Sequence, residues 1–171
     1  MLTRYWPFLV SLAIVLFDRM SKIGIRNSLS VVESVPVVPG WLRIIHTENP
    51  GAAFGMLAEG NLWLRKGILI GVSTLVMVFV AGALWNRRGG LESGLSRLAL
   101  SLVLGGAAGN LIDRAFRGTV TDFIEVYHGA WSFPAFNVAD SAITVGAVLL
   151  LLDLLRSRDK AERDAPQLVR Q

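Results

Sequence analysis

The sequence predicts an all-α membrane protein: four transmembrane helices, both termini cytoplasmic, and a short β-sheet platform on the outer face. Three observations carry this. Hydrophobic residues make up 53% of the 171 residues and charged ones only 18%, with a mean hydropathy of +0.52, which no ordinary soluble globule shows. The apolar residues gather into four runs. Between the runs lie segments rich in β-branched residues, prolines and aromatics that read as short strands.

The second run is the clearest. "GILIGVSTLVMVFVAGALW", Gly67 to Trp85, carries no charge and is bounded by Arg65-Lys66 and Arg87-Arg88, the length and flanks of one span. The first run (Tyr5 to Phe17), the third (Leu98 to Ile112) and the fourth (after "FNVAD" at 136–140) fall short of the roughly 20 residues that a crossing needs. Each therefore carries adjoining polar residues to the membrane's edge, which gives spans near 5–22, 66–86, 97–114 and 137–156. A cleaved leader is the other reading of the first run, but "DRMSKIGIRNS" follows it with no small-residue cleavage site, which favours a retained span.

By the positive-inside rule the Arg87-Arg88 loop and the charged tail 157–171 are cytoplasmic, leaving 23–65 and 115–136 outside. Basic residues occur on the outer side too, beside polar clusters. In the first outer segment Pro39-Gly40 marks a turn between strand-like stretches. Trp41, Trp63, Tyr127, Trp131 and Phe133 suit a membrane-interface belt. The whole chain, 1–171, reads as a single domain without repeats, and its last dozen residues as a disordered tail.

The net charge of +4 suits contact with anionic lipid, and no nucleic-acid surface is indicated. With no cysteine, disulfides, thiolate catalysis and Cys-ligated metals are excluded together. His46 and His128 are far apart and lack a His-x-x-x-His spacing, so a zinc site is not expected, nor is any other cofactor.

The remaining polar groups gather at span ends. Asp18 and Lys22 close the first span, Asn110, Asp113 and Arg114 close the third, and Asn137 and Asp140 open the fourth. Four spans with the N-terminus inside bring all three sets to the same outer face. An aspartate at mid-bilayer costs roughly 2.5 to 3.5 kcal/mol, so Asp140 at the mouth of a span calls for a partner. Asp18 with Lys22, Asn110 with Arg114, and Asn137 with Asp140 each share a helix face. For Asp18 and Lys22 a helix-end ion pair and a role at a site remain equally open.

"LGGAAGNLIDR" is no phosphate loop, since no strand precedes it and no Lys-Ser/Thr follows; Gly105 and Gly109 fit a small-residue face for close helix packing. "TENPGAAFG" at 47–55 places an Asn49-Pro50-Gly51 turn, followed by Phe54, over the same outer face. Asp122 sits in the apolar, strand-like "VTDF", where desolvation raises a carboxyl's pKa. Brought beside Asp140, it would share one proton with it, an acid/base pair able to activate water and protonate a leaving amide nitrogen. Ser141 with His128 is a weaker nucleophile and base, because Ser141 faces away from Asp140 on a helix.

"DRMSK" at 18–22, "NPGAAFG" at 49–55, "GGAAGNLIDR" at 105–114, "VTDF" at 120–123 and "FNVAD" at 136–140 together resemble the bacterial lipoprotein signal peptidases, or signal peptidase II. The resemblance runs in order over nearly the whole chain. It implies an intramembrane aspartic endopeptidase, multi-pass in the bacterial cytoplasmic (inner) membrane, with its active site near the outer face. Its substrates would be prolipoproteins cut before a diacylglyceryl-modified cysteine. The family's catalytic aspartates fall on Asp122 and Asp140, and its supporting or substrate-binding residues on Asp18, Lys22, Asn49, Gly51, Asn110, Asp113, Arg114 and Asn137. Its outer β-sheet would correspond to the regions 31–56 and 118–134. Pro50 departs from many relatives, which bears on the local turn. Partners expected are prolipoprotein substrates and membrane lipid, with the enzyme monomeric.

Two rivals come from other classes. A small transporter or ion-conducting subunit would line a path with Asp18, Lys22, Asp113, Arg114 and Asp140, but these gather at one face, whereas a path needs polar groups through the membrane's depth. A non-catalytic assembly protein packing through Gly105 and Gly109 leaves Asp122 and Asp140 without a reason.

Overall fold

The computed structural model describes residues 2–51, 62–86 and 93–168. Along the chain run helix α1 (Leu2–Ser28), strands β1 (Ser34–Val38) and β2 (Leu42–Asn49), helices α2 (Leu62–Asn86) and α3 (Gly94–Phe116), strands β3 (Val120–His128) and β4 (Trp131–Ser132), and helix α4 (Val138–Leu168). Phe54, the Arg87-Arg88 loop and the side chain of Trp63 lie outside the described residues.

Among the described residues three helices are long and apolar enough to cross a membrane: Lys66–Asn86, Gly94–Phe116 and Val138–Arg158. Helix α1 is of similar length but carries Asp18, Arg19, Lys22 and Arg26 in its second half. The expected disordered tail is corrected: α4 continues through the charged segment to Leu168. "RSRDKAERDA" holds the helix formers Arg, Lys, Glu and Ala and no glycine, so the helix nucleated by the apolar part meets no breaker before Pro166, among its last three residues.

Helix α3 is the centre of the bundle, and its glycines set how closely the others approach. A Cβ on Gly105 would lie 2.8 Å from both Ile14 Cβ and the Ser11 carbonyl of α1; one on Gly109 would lie 2.6 Å from Asp18 Oδ2. On the opposite side Gly106 admits the Ala139 carbonyl of α4, and Gly146 of α4 admits the Ala99 carbonyl of α3. The expected small-residue face therefore exists and serves two partners, as is usual where lipid gives helices no hydrophobic drive to associate. Helix α2 adds an apolar contact to α3 through Val80, Leu84, Leu100 and Leu104.

The strands form one antiparallel sheet in the order β1-β2-β3-β4. Gly40, at φ 81°, makes the turn between β1 and β2, and Gly118, at φ 80°, ends α3 and releases the chain into β3. In the β2–β3 ladder Thr47 pairs with Asp122 and Asn49 with Val120. The sheet is tied to the end of α1 by Arg26 Nη1, which donates to Thr121 Oγ1 at 2.9 Å, and by His46 Nδ1, 2.8 Å from the Leu29 carbonyl. Trp41 and Trp131 of this sheet region are exposed.

Candidate active site

The start of α4 supplies the first half of the site. Asn137 Oδ1 accepts from the Asp140 backbone N–H at 2.9 Å, and Asp140 Oδ2 accepts from the Asn137 backbone N–H at 3.2 Å. The two residues thus form a reciprocal capping box, satisfying helix-end donors and placing a carboxylate where the helix dipole favours it. With its oxygen occupied by the cap, the Asn137 amide can only turn its nitrogen outward, and Nδ2 donates to Asp122 Oδ1 at 2.6 Å.

Strand β3 supplies the second half. Asp122 is 3% exposed, and its other oxygen accepts from Asn49 Nδ2 of β2 at 3.0 Å. Burial pushes its carboxyl up to about 6; the nearby charge of Asp140 adds to the rise, while the bonds from Asn49 and Asn137 and the charge of Lys22 oppose it. Asn49 Oδ1 also accepts from Gly51 N at 2.9 Å, an Asx turn with Pro50 at its centre. The Pro50 departure therefore leaves a regular turn, because this geometry asks no hydrogen bond of residue 50.

Helices α3 and α1 stand behind Asp140. Asn110 Nδ2 donates to Asp140 Oδ1 at 2.8 Å, and Asn110 Oδ1 accepts from Lys22 Nζ at 2.9 Å. Lys22 also pairs with Asp18 at 2.8 Å and Asp113 at 3.0 Å. Asp113 takes Arg19 as well, at 2.7 Å. Asp18 and Lys22 are thus an ion pair facing the bundle's interior, and Lys22 is fully buried rather than reaching for the surface. Arg114 projects to the other side, its Nη2 3.4 Å from the Gly51 carbonyl.

Both aspartates line one cavity of about 890 Å³. Asn49, Asn110, Arg114, Asp122 and Asp140 form its polar end, and Val72 and Val76 of α2 with Val103 of α3 and Ile143 of α4 form an apolar wall. An extended apolar segment with a polar bond at one end fits such a shape.

The structure brings all ten expected site residues together, in two layers. Asn49, Asn110, Arg114, Asp122 and Asp140 face the cavity; Asp18, Lys22, Asp113 and Asn137 brace them from behind; Gly51 holds the turn above. Ser141 and His128 do not meet: Ser141 Oγ donates to the Asn137 carbonyl at 2.9 Å, while His128 stacks on Trp41 with centroids 4.4 Å apart. Among the described residues no group of three or more His, Asp or Glu could hold a metal. Residue-type reasoning missed Glu48, which lines the cavity and receives Thr119, Thr121 and Arg117, and Pro134 to Phe136, which line it too. The capping box was also missed, although Asn-x-x-Asp ahead of an apolar run is its sequence sign.

A profile for signal peptidase (SPase) II matches residues 10–156. The chain belongs to the signal peptidase II family. A lipoprotein signal peptidase of Solibacter usitatus is 42% identical over 158 residues, covering 92% of this chain and 95% of that one. One from Pseudomonas syringae pv. tomato is 44% identical over 160 residues, covering 92% and 89%. Two bacterial membrane enzymes solved by the in meso method share the fold. The first has a TM-score of 0.79 and 29% identity over 90% of each chain; the second has 0.75 and 30%, covering 87% of this chain and 92% of that one. As a signal peptidase II the chain is a peptidase, and its apolar helices make it a multi-pass membrane protein.

Proposed function

We propose that this signal peptidase II, which removes signal peptides from prolipoproteins, works as an intramembrane aspartic endopeptidase with Asp122 and Asp140 as its catalytic pair. One observation carries the reading: a single asparagine, Asn137, binds Asp122 through its side chain and Asp140 through its backbone at the polar end of one cavity.

The pair holds one proton between them and titrates jointly, with Asp122, pushed up to about 6, as the resting place of the proton. Ionised Asp140 removes a proton from water as its oxygen attacks the scissile carbonyl. Asp122 gives its proton toward the carbonyl oxygen, so a neutral tetrahedral diol results. When the C–N bond breaks, the proton held on Asp140 passes to the amine and the diol returns one to Asp122. Arg114 and the Asn49-Gly51 turn sit where the substrate backbone would lie. The bond cut is the one before a diacylglyceryl-modified cysteine, whose acyl chains remain in the bilayer beside the apolar wall.

The same reading makes α1 a fourth span with both termini cytoplasmic, in the cytoplasmic membrane, with the site near the outer face. In support, the charges of α1 turn inward to α3, while Leu9, Leu12, Leu16, Phe17 and Met20 are exposed, an apolar outer face. At about 1.5 Å per residue its 27 residues exceed the roughly 30 Å hydrocarbon thickness. The transporter reading loses support, since its proposed path residues Asp18, Lys22 and Asp113 are closed into ion pairs.

The test is cleavage of a diacylglyceryl-modified precursor by purified protein in lipid. Asp122→Asn and Asp140→Asn should each abolish cleavage while the protein stays folded, and a chelator should change nothing. Wild-type turnover in either variant would sink the proposal.

A further inference from the structure

Lys22 is the only fully buried lysine among the described residues, and its ammonium meets Asp18 Oδ2 at 2.8 Å, Asp113 Oδ2 at 3.0 Å and Asn110 Oδ1 at 2.9 Å. Two carboxylates would suffice to balance the charge. The third contact goes to a neutral amide that itself touches Asp140.

The chemistry of the three groups fixes that amide. An ammonium only donates, so the Asn110 atom it meets is the oxygen; the nitrogen must then face Asp140, where it donates at 2.8 Å. The other donor to Asn110 Oδ1 is Asn137 Nδ2, which gives one N–H to Asp122 at 2.6 Å and shares the other between Asn110 Oδ1 at 3.3 Å and the Thr121 carbonyl at 3.4 Å. Lys22, a charged donor at 2.9 Å, is therefore the stronger hold on the orientation. A second path reaches the same place: Asp18 Oδ1 accepts from Ala139 N at 2.9 Å, one residue before Asp140.

We infer that Lys22 is a positioning residue for catalysis: by holding Asn110 Oδ1 it keeps an N–H on Asp140 and so maintains Asp140 as the ionised, proton-accepting member of the pair. Without the ammonium the amide can turn, presenting an oxygen to a carboxylate. The ionised form of the pair then loses one hydrogen bond, and the proton enters at higher pH. The inference rests on the aspartic-dyad reading above.

Lys22→Met alone leaves Asp18 buried without a cation, whereas Asp113 keeps Arg19, so the test uses charge-balanced variants, Lys22→Met/Asp18→Asn and Lys22→Leu/Asp18→Asn. Cleavage of the lipid-modified precursor is followed over pH, with folding checked by thermal unfolding. The expected result is KM within about twofold of wild type, with kcat lowered by up to about tenfold on its acidic limb and little changed at its optimum. The acidic limb of kcat moves up by about one pH unit, the size of one lost bond to a carboxylate. A folded variant whose kcat falls evenly at all pH, or does not fall, overturns the inference. If neither variant folds, wild-type protein labelled with 15N-asparagine decides it: the Asn110 side-chain amide should titrate with the midpoint of the acidic limb, and an insensitive amide overturns the inference. An inactive wild type or an active Asp140→Asn would instead overturn the dyad reading, and this inference with it.

Discussion

Asn137 and Asp140 cap α4 by exchanging hydrogen bonds, Asn137 Oδ1 with Asp140 N at 2.9 Å and Asp140 Oδ2 with Asn137 N at 3.2 Å, and the exchange leaves the Asn137 nitrogen free to hold Asp122. Helix capping and the placement of the two aspartates are therefore one arrangement. Asn137→Ala should lose about 1 kcal/mol of stability from the cap and, because both carboxylates are released, about 10²-fold in kcat. KM should change little, as Asn137 does not line the cavity. Thermal unfolding and steady-state cleavage measure the two effects separately. Asn137→Ser, which can still cap, should recover the stability and little of the kcat.

Asp122 makes activity depend on pH in a defined direction. Its carboxyl is pushed up to about 6 by burial, and the proposed mechanism needs its proton, so kcat/KM should fall as pH rises through that region. Asn49 donates to the carboxylate at 3.0 Å and so favours its ionised form. Asn49→Leu removes that donor and should carry the alkaline limb to higher pH, even as overall activity drops with the loss of the Asn49-Gly51 turn. A limb that stays put or moves down would mean that another group is being read.

The helices and the strands were legible in the sequence because each follows from local pattern: uncharged runs for α2, α3 and α4, and Pro39-Gly40 between β-branched stretches for β1 and β2. That Asp122 and Asp140 lie at one cavity was legible because carboxylates in apolar runs demand partners. Local pattern does not carry distances across the bundle. That Lys22 would reach Asn110, or that Glu48 would receive Thr119, Thr121 and Arg117, depends on β2 pairing with β3 in one register and on α1 settling onto Gly105 and Gly109. The tail was misread because charge was weighed as solvation, whereas Arg, Lys, Glu and Ala also extend a helix already formed.

Gly109 and Gly24 make a matched pair of tests. A Cβ on Gly109 would lie 2.6 Å from Asp18 Oδ2, whereas one on Gly24 meets nothing within 4 Å. Gly109→Ala should cost about 1 to 3 kcal/mol by overpacking, and should lower kcat by displacing Asp18 from Lys22 and from the Ala139 N–H. Gly24→Ala, in the same detergent and assay, should be neutral or gain about 0.5 to 1 kcal/mol, since alanine is the better helix former. Equal losses in the two variants would mean that close approach at Gly109 is not what sets the bundle.

Arg114 separates charge from shape. Its guanidinium lies at the cavity's polar end between the aspartates and the Gly51 carbonyl, 3.4 Å from the latter, and its charge favours ionised carboxylates. Lysine keeps the charge and loses the planar fork. Arg114→Lys should therefore leave the pH limits of kcat/KM in place while lowering its maximum about tenfold, the cost of one contact of about 1.4 kcal/mol to the substrate backbone. Arg114→Gln should lower the maximum further and also carry both limbs to higher pH, because a positive charge near the pair is gone. If lysine moved the limbs as far as glutamine, geometry rather than charge would be what Arg114 contributes to the titration of the dyad.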